Sequence, residues 1–84
     1  MRHARDDDLD RIGPLLAELR AIDGLREKSR GVFYWGSRAC LHFHADGGDT
    51  YADVRFGGDE FERTRATTRA EQRALLAAVR RALA

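Results

Sequence analysis

The amino-acid sequence predicts an α+β fold, a two-layer sandwich in which an antiparallel four-stranded meander carries N- and C-terminal helices on one face (α-β-β-β-β-α). Three observations predict it. Apolar residues recur at helical spacing near the start and again after residue 68. Between these stretches lie short runs rich in aromatic and β-branched residues. Gly-Ser or Gly-Gly separates those runs, as two-residue hairpin turns require.

Leu9, Ile12, Leu16 and Leu19 form the first helical stripe, widened by Leu15 and Ile22. Asp6, Asp7 and Asp8 suit a helix N-terminus, where the dipole favours negative charge. Pro14 lacks a backbone donor, so the helix starts near Gly13 or has a short first turn kinked there. Gly24 sits at the expected C-terminal cap, and residues 25–30 are expected to be a polar connector. Strands are then expected over residues 32–35, 38–45, 50–56 and 59–65, the last of them charged as edge strands often are. Thr68-Arg69-Ala70-Glu71 is a capping-box signature. It opens a last helix with Gln72, Leu75, Leu76, Val79 and Leu83 on one side and Arg69, Arg73 and Arg80 on the other. Nothing divides the chain, so residues 1–84 are expected to form a single domain.

Strand alternation turns these expectations into two faces. A Gly47-Gly48 turn sets Ala45 against Thr50, Phe43 against Ala52 and Leu41 against Val54, toward the helices. The other face then pairs His44 with Tyr51, His42 with Asp53 and Cys40 with Arg55. A Gly36-Ser37 turn places Val32 and Tyr34 inside, with Phe33 beside Cys40 and Trp35 beside Arg38 outside. A Gly57-Gly58 turn sets Phe61 against Val54 inside. The outer face, left uncovered, collects Phe33, Trp35, Arg38, Cys40, His42, His44, Tyr51, Asp53 and Arg55. Aromatic and Arg residues together are enriched at binding interfaces.

Composition narrows the functional classes. Charged residues make up 35% of the chain and hydrophobic residues 43%, as in a folded domain. The net charge of +1 and the acidic residues around the sheet argue against nucleic acid as partner. No apolar run approaches the roughly 20 residues of a membrane span. The opening residues lack a signal-peptide core. A lone Cys40 excludes an internal disulfide, and a cytoplasmic location is expected. No catalytic constellation is complete, and no cofactor is implied.

Two function classes remain. In the first, the chain is a binding module whose open sheet face meets a second copy of itself or another protein, through Phe33, Trp35, Arg38, His42, His44, Tyr51, Asp53 and Arg55. In the second, it holds a metal ion or small molecule at Cys40, His42, His44 and Asp53, residue types that zinc accepts.

Three resemblances accompany these readings. Gly36, then His42-Phe43-His44, then Asp49 is similar to the first cupin motif, which has Glu where this chain has Asp49. A cupin barrel also needs a second histidine motif, absent here. Cys40-Leu41-His42-Phe43-His44 resembles a histidine-triad motif with Cys at its first position, which would imply His42 as a nucleophile toward phosphate. Each covers fewer than about fifteen residues. The stretch from Glu27 through Val32-Phe33-Tyr34-Trp35 to Ala39, with the strand, hairpin and helix after it, is similar in layout to the YjbR-like group. The whole chain also looks like small bacterial proteins from families of unknown function. That resemblance implies an antiparallel sheet with flanking helices and no assigned activity.

Overall fold

A computed structural model describes residues 1–84. Asp6, Asp7 and Asp8 open a helix as expected, and the Asp8 carboxylate accepts from the Arg5 backbone at 2.9 Å. Pro14 then divides the N-terminal helical stripe. One short helix covers Asp6–Asp10 (α1), and Pro14 sits at the start of a second over Gly13–Arg20 (α2). Leu9, Ile12, Leu15, Leu16 and Leu19 are all buried, so the stripe survives the break.

The sheet is larger than the sequence implies. Arg2–His3 forms β1, Leu25–Ser29 β2, Val32–Trp35 β3, Arg38–Asp46 β4, Asp49–Val54 β5 and Glu62–Arg65 β6. The strands lie antiparallel in the order β2-β3-β4-β5-β6, and β1 also pairs with β4. Residues 25–30 are therefore not a connector, because β2 is the edge strand beyond β3. Arg26, Glu27 and Lys28 leave it without an apolar run, which hides it from periodicity.

The β4–β5 hairpin has the register derived from Gly47-Gly48. Leu41 pairs with Val54, His42 with Asp53, Phe43 with Ala52, His44 with Tyr51 and Ala45 with Thr50. Gly47 and Gly48 both adopt positive φ, +59° and +93°, as a turn matched to strand twist demands. Cys40 and Arg55 are also neighbours, with the Arg55 N–H donating to the Cys40 carbonyl at 2.8 Å.

The β3–β4 hairpin departs from simple alternation. Trp35 pairs with Arg38 and Tyr34 with Ala39, as a Gly36-Ser37 turn requires, but Phe33 pairs with Leu41. Cys40 is the extra residue of a β-bulge, and consecutive Cys40 and Leu41 are both buried. The bulge reverses the faces of the strand before it. Phe33, expected outside, is fully buried in the core. Tyr34, expected inside, is partly exposed with the Lys28 ammonium 4.3 Å above its ring. Trp35, Arg38, Cys40 and Arg55, also expected outside, line a hollow with Phe56 and with Ala82 and Leu83 from the last helix. The first three belong to the helix side.

The last hairpin is offset as well. Val54 pairs with Glu62 and Asp53 with Arg63, so residues 55–61 form a loop rather than a Gly57-Gly58 turn. Phe61 is thereby excluded from the core, where the sequence placed it.

Arg69–Leu83 forms α3, capped as its sequence specifies. The Glu71 N–H donates to the Thr68 hydroxyl at 3.1 Å, and the Thr68 N–H donates to the Glu71 carboxylate at 2.9 Å. Leu75, Leu76 and Val79 join Leu15, Leu16, Leu19, Phe33, Leu41, Phe43 and Ala52 in one core between helices and sheet. The opposite sheet face carries no helix. None of the helices is long and apolar enough to cross a membrane.

Two stability measurements check this packing. Phe33→Ala should cost about 3–5 kcal/mol, the range for truncating a buried Phe, whereas a Phe33 on the open face would cost far less. Thr68→Ala should cost about 0.5–2 kcal/mol through the lost cap. Denaturant midpoints that move for neither variant would contradict the arrangement.

Candidate functional site

The uncovered face is organised around Asp53 at the centre of β5. Its side chain is 9% exposed although it lies on the open side of the sheet. Neighbouring strands bury it. From β4, the His42 and His44 Nε2 atoms approach one carboxylate oxygen, Oδ2, at 3.3 and 3.1 Å. From β6, Arg63 donates through Nε to Oδ1 at 2.7 Å and through a terminal nitrogen to Oδ2 at 2.8 Å. This two-point guanidinium contact fixes the plane of the carboxylate.

The backbone dictates the convergence. His42 and Asp53 are direct cross-strand partners, as are Asp53 and Arg63. His44 lies two residues along β4, on the same face. Direct and diagonal neighbours on one face lie within reach of side chains this long. Phe61 closes one end of the cluster, edge-on to the His42 ring with centroids 4.7 Å apart. The Arg55 guanidinium stacks on Phe61, 4.3 Å from the ring centre. It also donates to the Ala39 carbonyl at 2.7 Å, which holds it at the margin of the site.

Charge follows from these contacts. The Arg63 hydrogen bonds hold the Asp53 carboxyl below its ordinary range, against the opposing effect of burial. Burial is the largest influence on His42 and pushes its pKa down. Asp53 pulls it back up, and His44 and His3 lower it further. A His42 held toward its neutral form beside an ionised Asp53 is the protonation state in which these groups ligate metals.

The sequence-derived site is thus partly assembled. His42, His44 and Asp53 converge with ligand atoms within 4.8 Å of one another. Tyr51 lies beside His44 across the hairpin, and Arg55 lies near Phe61. Phe33, Trp35 and Arg38 are not on this face. Cys40 leaves the set too, because the bulge turns its thiol into the core. There it meets the Phe33 carbonyl at 3.5 Å, and burial raises its pKa, with Arg55 opposing. Arg63 and His3 were missed by sequence reasoning. An opposite-charge partner for Asp53 was a usable signal, but the assumed turn put β6 one residue out of step. His3 sits on a strand of two residues, too short to show a period.

Comparisons with protein-family models, with curated proteins and with solved structures find no match to this chain. Function is therefore argued from the site.

The shift on His42 has a pH consequence. A lowered folded-state pKa means that the unfolded chain binds more protons below the ordinary histidine value of about 6.5. Stability is then full above that value and falls as pH drops through it toward the folded-state pKa. The lowered Asp53 carboxyl acts later, as pH falls below the ordinary carboxylate value of about 3.9. Thermal midpoints of the wild type should decline from pH 7 to 5, and His42→Gln should flatten that decline. Equal slopes in the two proteins would show that His42 is not the group responsible.

Proposed function

We propose that the protein is a binding module whose working surface is the uncovered sheet face, and that its ligand is a divalent transition-metal ion held by His42, His44 and Asp53. The observation that carries this reading is the approach of two imidazole nitrogens to one carboxylate oxygen. In a zinc tetrahedron with bonds of about 2.0–2.1 Å, neighbouring ligand atoms lie roughly 3.3 Å apart. The separations of 3.3 and 3.1 Å from Nε2 to Oδ2 match that edge, and the whole set spans up to 4.8 Å, so a bound ion would draw the two imidazoles together.

The donor set supports a borderline ion rather than a hard one. Imidazole nitrogens suit zinc, copper and nickel, whereas magnesium and calcium favour oxygen shells. Arg63 has the part that outer-shell groups take at metal centres, orienting a ligand carboxylate. Zinc competes with protons for the imidazole nitrogens, so its affinity should weaken as pH falls.

Self-association through this face draws less support from the geometry. That expectation drew on Phe33, Trp35 and Tyr51, and of these only Tyr51 stays on the outer face, since Phe33 and Trp35 lie on the helix side. What remains apolar there is Tyr34, Tyr51 and Phe61, each only partly exposed and mixed with charge.

Calorimetric titration of chelator-stripped protein with zinc tests the reading. The wild type should bind one ion per chain. His42→Ala combined with His44→Ala should abolish binding, while Cys40→Ala should leave the affinity unchanged. A wild type that fails to bind, or a double variant that binds equally well, would refute the proposal.

A further inference from the structure

All three histidines of the chain lie in this one cluster. Two come from β4. The third, His3, arrives on β1, directly opposite His44 in the antiparallel register. β5 occupies one edge of β4 over residues 41–46, and β3 occupies the other only as far as Leu41. β1 takes the vacant remainder of that second edge. The Ala4 N–H donates to the Phe43 carbonyl at 3.1 Å, and Arg2 pairs with the buried Asp8 of α1. These contacts put His3 on the face that holds His42 and His44.

The ring positions can be set against a coordination polyhedron. An imidazole centre lies just over 1 Å behind its ligating nitrogen. With Zn–N bonds of about 2.0–2.1 Å and tetrahedral angles, ring centres on one ion should be roughly 5.2 Å apart. The observed separations are 5.1 Å for His42–His44, 4.5 Å for His3–His44 and 5.9 Å for His3–His42. They scatter on both sides of the tetrahedral value. His3 is not yet within ligand distance of the group formed by His42, His44 and Asp53, so its exposed side chain would have to turn toward them to complete the set.

Building on the metal reading above, we infer that His3 is the fourth ligand, and that the ion joins the N-terminal strand to the sheet as a closed tetrahedral site of three histidines and Asp53. Four protein ligands leave no open position, which is the arrangement of structural rather than catalytic zinc. The ion then does for β1 what two backbone pairs do only weakly. It ties residues 1–4 to β4 through side chains on both strands. Binding of the ion should therefore be coupled to ordering of the arm.

Three measurements on the full chain, with its N-terminus untagged, test the inference. His3→Ala should weaken zinc binding by at least the roughly tenfold that loss of even an outer-shell partner costs. Cobalt substituted for zinc should give the intense visible bands of tetrahedral coordination in the wild type, and weaker bands in His3→Ala. Zinc should slow hydrogen exchange at the Ala4 amide, and this protection should vanish in the variant. Thermal melting without metal should be nearly the same for both proteins, because His3 is exposed. If His3→Ala binds zinc as tightly as the wild type, with the same cobalt spectrum, His3 is not a ligand, although the site of His42, His44 and Asp53 stands. If the wild type binds neither ion, both readings fall.

Discussion

The register of the β4–β5 hairpin is the constraint on which the rest of the molecule depends. Side chains alternate with a period of two, so a slip of one residue would exchange the two faces of β4. Leu41, Phe43 and Ala45 would then face water, and His42 and His44 would enter an apolar core. Gly47 and Gly48 exclude that slip by accepting positive φ at both central turn positions, which side-chain-bearing residues seldom do. Core and polar cluster are therefore specified together. The burial of Phe43 at 3% exposure is also what holds His42 and His44 outward.

What the sequence reveals and what it hides divide along physical lines. Features governed by short-range rules are legible: the Gly-Gly hairpin, the capping box at Thr68 and the apolar stripes of the helices. Features that depend on counting residues across longer distances are not. One added residue at Cys40 moves Phe33, Trp35 and Arg38 to the opposite face, and alternation carries no sign of it. The Gly57-Gly58 pair resembles the Gly47-Gly48 pair in sequence, yet neither glycine has positive φ. Residues 55–61 instead form a loop in which Arg55 reaches back to the Ala39 and Asp59 carbonyls, and Phe61 reaches His42. His42, His44 and Asp53 are legible because they sit on the well-defined hairpin. Arg63 and His3 come from strands whose place is set by tertiary pairing alone.

The ion pairs of the molecule are not equivalent. Arg30 bridges Asp6 and Asp10 and ties α1 to the β2–β3 turn, but both carboxylates are largely exposed. Such pairs contribute at most about 1 kcal/mol. Asp53 is different. Its carboxylate is nearly excluded from water and has a single full counter-charge, Arg63, with two imidazoles on the remaining approaches. Leaving a charge buried without its partner is strongly destabilising, whereas an apolar residue in its place is often tolerated. Stability alone therefore gives little reason to keep this arrangement at the middle of an open sheet. This is the arrangement expected if, as proposed, its geometry is held in advance of a ligand.

On the proposed metal reading, the bulge at Cys40 would also decide what kind of ion suits the cluster. Had alternation continued without interruption, the Cys40 thiol would have stood beside His42, and the donors would have included soft sulfur. Thiolate favours copper(I), zinc and iron–sulfur clusters, and it exposes a centre to oxidation. By turning Cys40 into the core, the extra residue leaves only imidazole nitrogen and carboxylate oxygen on the open face. Burial then raises the thiol pKa and keeps Cys40 in its unreactive form. The same local irregularity that packs Phe33 against Leu41 thus removes the one redox-sensitive side chain from the cluster. On the proposed metal reading, it would also leave a donor set of imidazole and carboxylate, which suits zinc, copper and nickel in their divalent forms.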